Sequence, residues 1–265
     1  MTNTNTNTNT NTNTNTNKVA LVTGANKGIG YETAYLLGAQ GHTVLLGCRD
    51  AQRAANAERQ LRDREIDAHA LHLDVTDPSS LEQAAKQVND RYGHLDVLIN
   101  NAGIAWADAP QADDIPTALR RLLDTNVIGA VAVIEAMLPL LRKAPAARIV
   151  NVSSELGSIA SSLDPDSPMW QIPAGIAYPT SKAALNMVTA SYAKQLWNTP
   201  IKVNAANPGY CATDLNGNTG FRTPKQGASV VTHLAALPDD GPSGVFWGYL
   251  WTATTGGDDN AILPW

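Results

Sequence analysis

The chain has 265 residues, 43% of them hydrophobic, with 19 basic and 24 acidic side chains and a formal net charge of −5. That length and apolar fraction suffice for a substantial core, and the charge gives no basic footprint for nucleic acid. Two cysteines, Cys48 and Cys211, are too few for a disulfide framework and have no evident histidine partner, so both read as inert thiols in a reducing, cytoplasmic setting. No apolar run reaches the roughly 18 residues that a bilayer span requires, so no membrane partner is expected.

Thr2 to Asn17 is an uninterrupted Thr-Asn alternation without an apolar residue, and it lacks the charged start and apolar stretch of a signal peptide. It has nothing to bury, so residues 1–17 are expected to be a disordered tail. A single domain is expected over 18–265. From Lys18 strand and helix signals alternate. Val19–Val22 is a strand ending in a glycine turn, and 28–40 a helix. Thr43–Cys48 is a second strand, followed by a charged helix from Asp50 to about Glu65. Strand 70–73, helix 78–92, strand 97–99 and helical segments around 115–141 come next. Strand 148–152, helix 178–197 and strand 201–205 complete the series. Short, wholly apolar strands alternating with helices predict an α/β fold: a doubly wound, Rossmann-type parallel sheet with helices on both faces.

The turn Thr23-Gly24-Ala25-Asn26-Lys27-Gly28-Ile29-Gly30 follows a strand and opens a helix. Glycines let a backbone turn tightly and approach a pyrophosphate, whose charge meets the helix N-terminus. The spacing is neither the usual dinucleotide fingerprint nor a Walker loop. Further on, Tyr178 and Lys182 stand four residues apart in a predicted helix, so phenol and ammonium share a face. An adjacent ammonium favours the phenolate and lowers its pKa, which would make the tyrosine a usable acid or base. The five histidines show no metal spacing, and no metal is expected.

These residues, in this order, resemble the short-chain dehydrogenase/reductase family from about Lys18 to Phe246. Gly24-x-x-x-Gly28-x-Gly30 is similar to its cofactor loop, with Asn26, Lys27 and Ile29 between the glycines. Asn100-Asn101-Ala102-Gly103 is similar to its Asn-Asn-Ala-Gly signature, and Asp74-Val75 to the pair that holds the adenine. Asn126, Ser154, Tyr178 and Lys182 match its catalytic tetrad. Pro208, Gly209 and Thr213 match the loop that meets the nicotinamide. The resemblance implies hydride transfer between a nicotinamide cofactor and a carbonyl or secondary alcohol. Ser154 would polarise the carbonyl and Tyr178 act as acid. Lys182 would lower the phenol's pKa and bind the ribose, and Asn126 would hold a relay water. Strand alternation sends the adjacent Ser153 to the opposite face, where it reads as a strand-end cap.

Cofactor choice is argued from charge. An acid after the second strand binds a ribose 2′-hydroxyl, whereas an arginine accommodates a 2′-phosphate. Cys48 occupies the acid's position and Arg49 follows, with Lys27 adding a second charge, so NADP(H) is expected over NAD(H). Two alternatives remain: Arg49 only pairs with Asp50 or a helix acid, or Asp50 itself binds a ribose.

Residues 155–177 put 23 positions between Ser154 and Tyr178, about twice what many members of the family have. Longer insertions here occur in the monomeric carbonyl-reductase branch, whose glycine loop also reads Gly-Ala-Asn-Lys-Gly-Ile-Gly. Residues 161–174 are therefore either a wall of the substrate pocket or a solvated loop. Residues 210–226, rich in Gly, Asn and Thr, form a candidate lid. The aromatic 246–265 segment matches the family poorly, and lines the pocket or packs on a partner subunit. The implied partner is a small, hydrophobic carbonyl compound, with a homo-oligomer open. An NAD-dependent alcohol dehydrogenase and a non-catalytic NADP-binding sensor are the alternative functions.

Overall fold

The computed structural model describes residues 18–105, 114–252 and 257–265. The Thr-Asn run, with its expected disorder, lies outside them. Eight strands form one sheet in the order β3-β2-β1-β4-β5-β6-β7-β8. In chain order these are β1 (Val19–Thr23), β2 (Thr43–Cys48), β3 (Ala68–His72), β4 (Val97–Asn100), β5 (Arg148–Val152), β6 (Lys202–Asn207), β7 (Phe246–Leu250) and β8 (Asp258–Ile262). All pairings are parallel except the last, β7 with β8. After β3 the chain returns across β1 to β4, and this reversal makes the switch point at which doubly wound sheets bind ligands.

Strand alternation divides the core in two. Val19 and Leu21 join one apolar cluster, with Leu45, Leu98, Ile149 and Val203. Ala20 and Val22 join the other, with Leu46, Ile99, Val150 and Ala206. Helices α3 (Pro78–Tyr92), α5 (Gly129–Leu141) and α7 (Ala177–Gln195) cover the first face. Helices α1 (Gly28–Ala39), α2 (Ala51–Arg62) and α8 (Pro224–Ala235) cover the second. The expected α/β architecture with helices on both faces is the observed one.

Caps fix several helix starts. Asp50 accepts from the Arg53 N–H at 3.0 Å and so opens α2. Asp77 does the same for α3. Helix α4 (Ile115–Leu123) continues through a π turn (Asp124–Ile128) into α5 as one helix of 27 residues. By length and composition it could cross a bilayer, a run the sequence reading missed because Asp124 and Glu135 interrupt it. Here Val133, Ile134, Met137 and Leu141 are fully buried in the first core cluster.

Three elements were not expected from the sequence. The stretch read as a lid to residue 226 ends earlier, because Thr223 and Gln226 form a capping box that starts α8. The C-terminal aromatic stretch supplies β7 and β8. Gly248 lies inside β7, where a Cβ would fall 2.3 Å from the Asn207 carbonyl, so a glycine there permits the strand to approach β6.

Candidate active site

Beyond the carboxyl ends of β4, β5 and β6 opens a cleft of about 1690 Å³. Its floor is built from three strand ends. After β1, Gly24 turns the chain at φ +66°. A Cβ at Gly24 would lie 3.0 Å from the Ala102 Cα, and one at Gly30 would lie 2.4 Å from Asn101 Nδ2 and 2.6 Å from the Gly24 carbonyl. The glycine turn is thus pressed against the Asn100–Gly103 strand end, which Asn101 Nδ2 stitches by donating to the Thr23 carbonyl at 2.8 Å. Thr23, which the sequence reading passed over, receives the Asn101 and Ala102 N–H groups on its hydroxyl at 3.0 and 2.9 Å.

Above this turn α1 begins at Gly28. Its N-cap position, Lys27, gives no side-chain cap, so the first N–H groups of α1 are not taken by a capping side chain. Gly28 has φ +60°, and a Cβ there would meet only the Thr213 methyl, at 3.4 Å. Ile29 lines the cleft, and Asn26 is half-buried in the turn. Cys48 lies under the turn, and burial pushes its thiol up to about 11, against the pull of the Ala25 and Asn26 N–H groups. This is an inert thiol.

At the other end, Lys182 and Tyr178 occupy the first turns of α7. Lys182 is buried; its Nζ donates to the Val152 carbonyl at 2.8 Å and lies 5.7 Å from the Tyr178 ring centroid. Ser154 extends from β5, hydrogen-bonds Tyr178, and accepts the Leu156 N–H at 3.3 Å. Ser153 faces away, bonded to Asn186 under α7 rather than capping the strand end. The structure therefore brings Ser154, Tyr178 and Lys182 to one place.

One expectation about this cluster needs correction. Burial pushes the Tyr178 phenol up to about 12, which the Ser154 bond only tempers, while burial pulls Lys182 down to about 8. The ammonium points at a backbone carbonyl rather than at the phenol oxygen, so desolvation outweighs the expected lowering. Asn126 sits in the π turn, where its Oδ1 accepts the Ile104 N–H at 2.9 Å and its Nδ2 donates to the Ile104 carbonyl at 3.0 Å and to Ser181 Oγ at 3.1 Å. The amide fastens the chain after Gly103 to α7 through Ser181. A π turn that re-aims a polar side chain is a common device at functional sites.

The loop after β6 closes the cleft. Asn207 Oδ1 accepts the Glu155 N–H at 3.1 Å, and Pro208, Gly209 and Thr213 line the wall. Lys27, expected to face a 2′-phosphate, instead pairs with Asp214 at 2.7 Å, because the turn after Thr213 brings that carboxylate over the glycine loop. Arg49 stands exposed beyond β2 and does not pair with Asp50; its charge acts on Asp74. Burial raises Asp74, but bonds from Thr76 and the charges of Arg49 and His72 outweigh it and hold the carboxyl below its ordinary value. Val75 packs on Gly129, where a Cβ would fall 2.8 Å from its side chain. These three lie outside the cleft.

Leu163, Met169, Trp170 and Ile172 of the 161–174 segment line the cleft, as do Tyr210 and Phe221 of the 210–226 loop. From the C-terminal stretch Tyr249 and Trp251 join them, whereas Trp247 stacks on His233 and Trp265 on Phe246. Glu155 is a wall residue that the sequence reading did not single out. It is 5% exposed, and burial pushes its carboxyl up to about 7. The signal was present: an acid directly after Ser154 at the end of an apolar strand. Among the described residues no cluster able to hold a metal ion is found.

An uncapped helix N-terminus above a glycine turn thus shares the cleft with two hydroxyls and a lysine. The short chain dehydrogenase model matches residues 18–222, and the chain belongs to that family. It is similar to the (+)-neomenthol dehydrogenase of Capsicum annuum, at 32% identity over 87% of this chain and 95% of the relative. The salutaridine reductase structure from Papaver somniferum superposes with a TM-score of 0.76 at 30% identity, covering 86% of this chain and 99% of that one. A Pseudomonas aeruginosa RhlG/NADP active-site complex superposes with a TM-score of 0.74 at 26% identity, over 86% and 93%.

Proposed function

We propose that the chain reduces a bulky, largely hydrophobic ketone or aldehyde with NADPH. The observation that carries this reading is the Ser154–Tyr178 hydroxyl pair at the floor of a large, apolar cleft, with Lys182 behind it. The names of the relatives, a dehydrogenase and a reductase with an NADP complex among the similar structures, support the reaction class and the cofactor. Cys48 at the end of β2, where an acid would serve NAD, and Arg49 directly after it support NADP(H).

The residues present fit such a cofactor. The uncapped start of α1 and the glycine turn would hold a pyrophosphate. Arg49 would face the 2′-phosphate. Asp74, Val75, Asn101, Ala102 and Gly103 would border the adenosine and its ribose, and Pro208, Gly209 and Thr213 the nicotinamide. When bound, the cofactor supplies the hydride.

The chain's own work concerns the carbonyl oxygen. Negative charge grows there, and the Ser154 and Tyr178 hydroxyls donate to it in a site from which apolar walls exclude water. With its phenol held up to about 12, Tyr178 is protonated over the whole ordinary pH range, which is the form that reduction requires. As its proton moves to the substrate oxygen, the Lys182 ammonium stabilises the tyrosinate that forms. Asn126 positions the strand end after Gly103 against α7. The two free, buried cysteines accord with a reducing compartment, and we place the reaction in the cytoplasm.

Incubation of the protein with NADPH, and separately NADH, against aliphatic, aryl and β-keto-ester carbonyls tests the proposal. Loss of reduced cofactor with NADPH on at least one of them is the expected result. NADPH binding without turnover on any member would favour a sensor, and equal KM values for the two cofactors would remove the NADP assignment.

A further inference from the structure

One polar group in the cleft has no task in the chemistry above. Glu155 is nine-tenths buried and lines the cleft. One carboxylate oxygen, Oε2, accepts the Trp251 N–H at 3.3 Å, while Oε1 is buried without a hydrogen-bond partner. Among the described residues Glu155 has no ion pair. A buried carboxyl left half-satisfied costs free energy, and such groups persist where a ligand completes them. Around it the walls are aromatic: the Phe221 ring centroid lies 5.9 Å from those of both Tyr249 and Trp251, and 6.1 Å from that of Tyr210. Arg222 lies 4.1 Å over the Tyr249 ring, so this cluster already receives one cation.

We propose that Glu155 is a specificity-determining residue that selects ketones carrying a protonated amine, its carboxylate and the neighbouring rings together receiving the ammonium. This rests on the reduction proposed above and adds a substrate class to it. A carboxylate supplies the charge, and π faces receive the alkyl groups of a substituted ammonium better than they receive a hydrated neutral group.

Binding and ionisation are then linked. Burial holds Glu155 up to about 7 against the pull of the Trp251 N–H and the Asn207 side chain, and an ammonium alongside favours its charged form, so binding releases a proton and tightens as pH rises through that value. Tyr178 and Lys182 of α7 and Tyr249 of β7 line the same cleft as Glu155, Arg222 lies over the Tyr249 ring, and the Asn207 side chain bonds the carboxyl itself. Tyr178 stays neutral over this range. Lys182 loses its charge above about 8, which works in the same direction for a cationic ligand.

The test is a matched pair, 4′-(dimethylaminomethyl)acetophenone and its carbon isostere 4′-isobutylacetophenone. Binding is followed by quenching of tryptophan fluorescence, since Trp170 and Trp251 line the cleft, and turnover by NADPH loss. The wild-type protein is expected to bind the amine ketone at least about tenfold tighter than the isostere at pH 8, with that ratio shrinking about tenfold at pH 6. Glu155→Gln keeps an acceptor for the Trp251 N–H and removes the charge, so the ratio should collapse towards one. A merely structural role would weaken both ligands alike and leave the ratio standing. Equal binding of the pair by the wild type, a ratio that persists in Glu155→Gln, or no binding of the amine ketone overturns the inference. Selective binding without turnover supports it while counting against the reductase reading.

Discussion

The two sides of the cleft are built by different rules. On the β1–β4 side, glycines and main-chain groups dominate: Gly24 and Gly30 let the turn press on Asn101 and Ala102, and Thr23 ties both strand ends together. On the side formed by residues 154–251, long side chains dominate, from Met169 and Trp170 to Phe221 and Trp251. The first side has almost no freedom, because an added methyl collides with backbone. The second can change residue by residue while the sheet beneath it stays. On the function proposed above, the pyrophosphate would rest on the rigid side, Pro208, Gly209 and Thr213 would meet the nicotinamide from the other, and substrate choice would fall to the variable side chains.

That contrast can be broken by substitution. Gly30→Ala should have the largest effect, since its methyl meets Asn101 and the Gly24 carbonyl; NADPH affinity measured by fluorescence should fall by about two orders of magnitude or more, with lowered thermal stability. Substitution of a large wall residue, Trp170→Ala, should leave that affinity within a few-fold and change the ranking of carbonyl substrates. Arg49→Ala should raise KM for NADPH about tenfold and leave KM for NADH nearly constant, consistent with loss of one exposed phosphate contact.

Two pH effects sharpen the picture further. Lys182 is charged below about 8, so the rate of ketone reduction should hold at lower pH and decline by up to about tenfold per unit above it; Tyr178, neutral until about 12, adds no limb of its own. A flat kcat profile from pH 7 to 10 would contradict that role for the ammonium. The smallest effect concerns stability. Because the folded-state pKa of Glu155 is raised, the protonated form is favoured in the native protein, and stability present at low pH is lost as pH rises through about 7. Glu155→Gln removes that loss, so its Tm should exceed the wild type's by about 2–5 °C at pH 8 and by less at pH 5.

How much of this was legible in the sequence follows the same division. The sheet, its strand alternation and the glycine turn could be read because wholly apolar strands and glycines at collision points leave local marks. Tyr178 and Lys182 were legible as a spacing, and Ser154 through the family resemblance. Their electrostatics were not, because the direction of a pKa depends on burial and on where Nζ points, here to the Val152 carbonyl. Helix α8 was hidden in a Gly- and Thr-rich stretch although Thr223, Pro224 and Gln226 mark its start. Strand β7 was obscured by Gly248, whose need for close approach appears only once β6 lies beside it, and β8 by the polar run Asp258–Asn260, which gives no strand signal. The partners of Lys27 and Asn126 were unreadable for the same reason: Asp214 and Ile104 reach them only in the folded chain.

The most direct measurement compares wild type with Tyr178→Phe, scoring NADPH binding by fluorescence and single-turnover ketone reduction in the same samples. Reduction should fall at least about a thousandfold while NADPH affinity stays within about threefold, since the phenyl ring keeps the packing and only the acid is lost. Reduction at near wild-type rate with bound NADPH would contradict the role of Tyr178 as the proton donor, and with it the assignment of this cleft as the reductase centre.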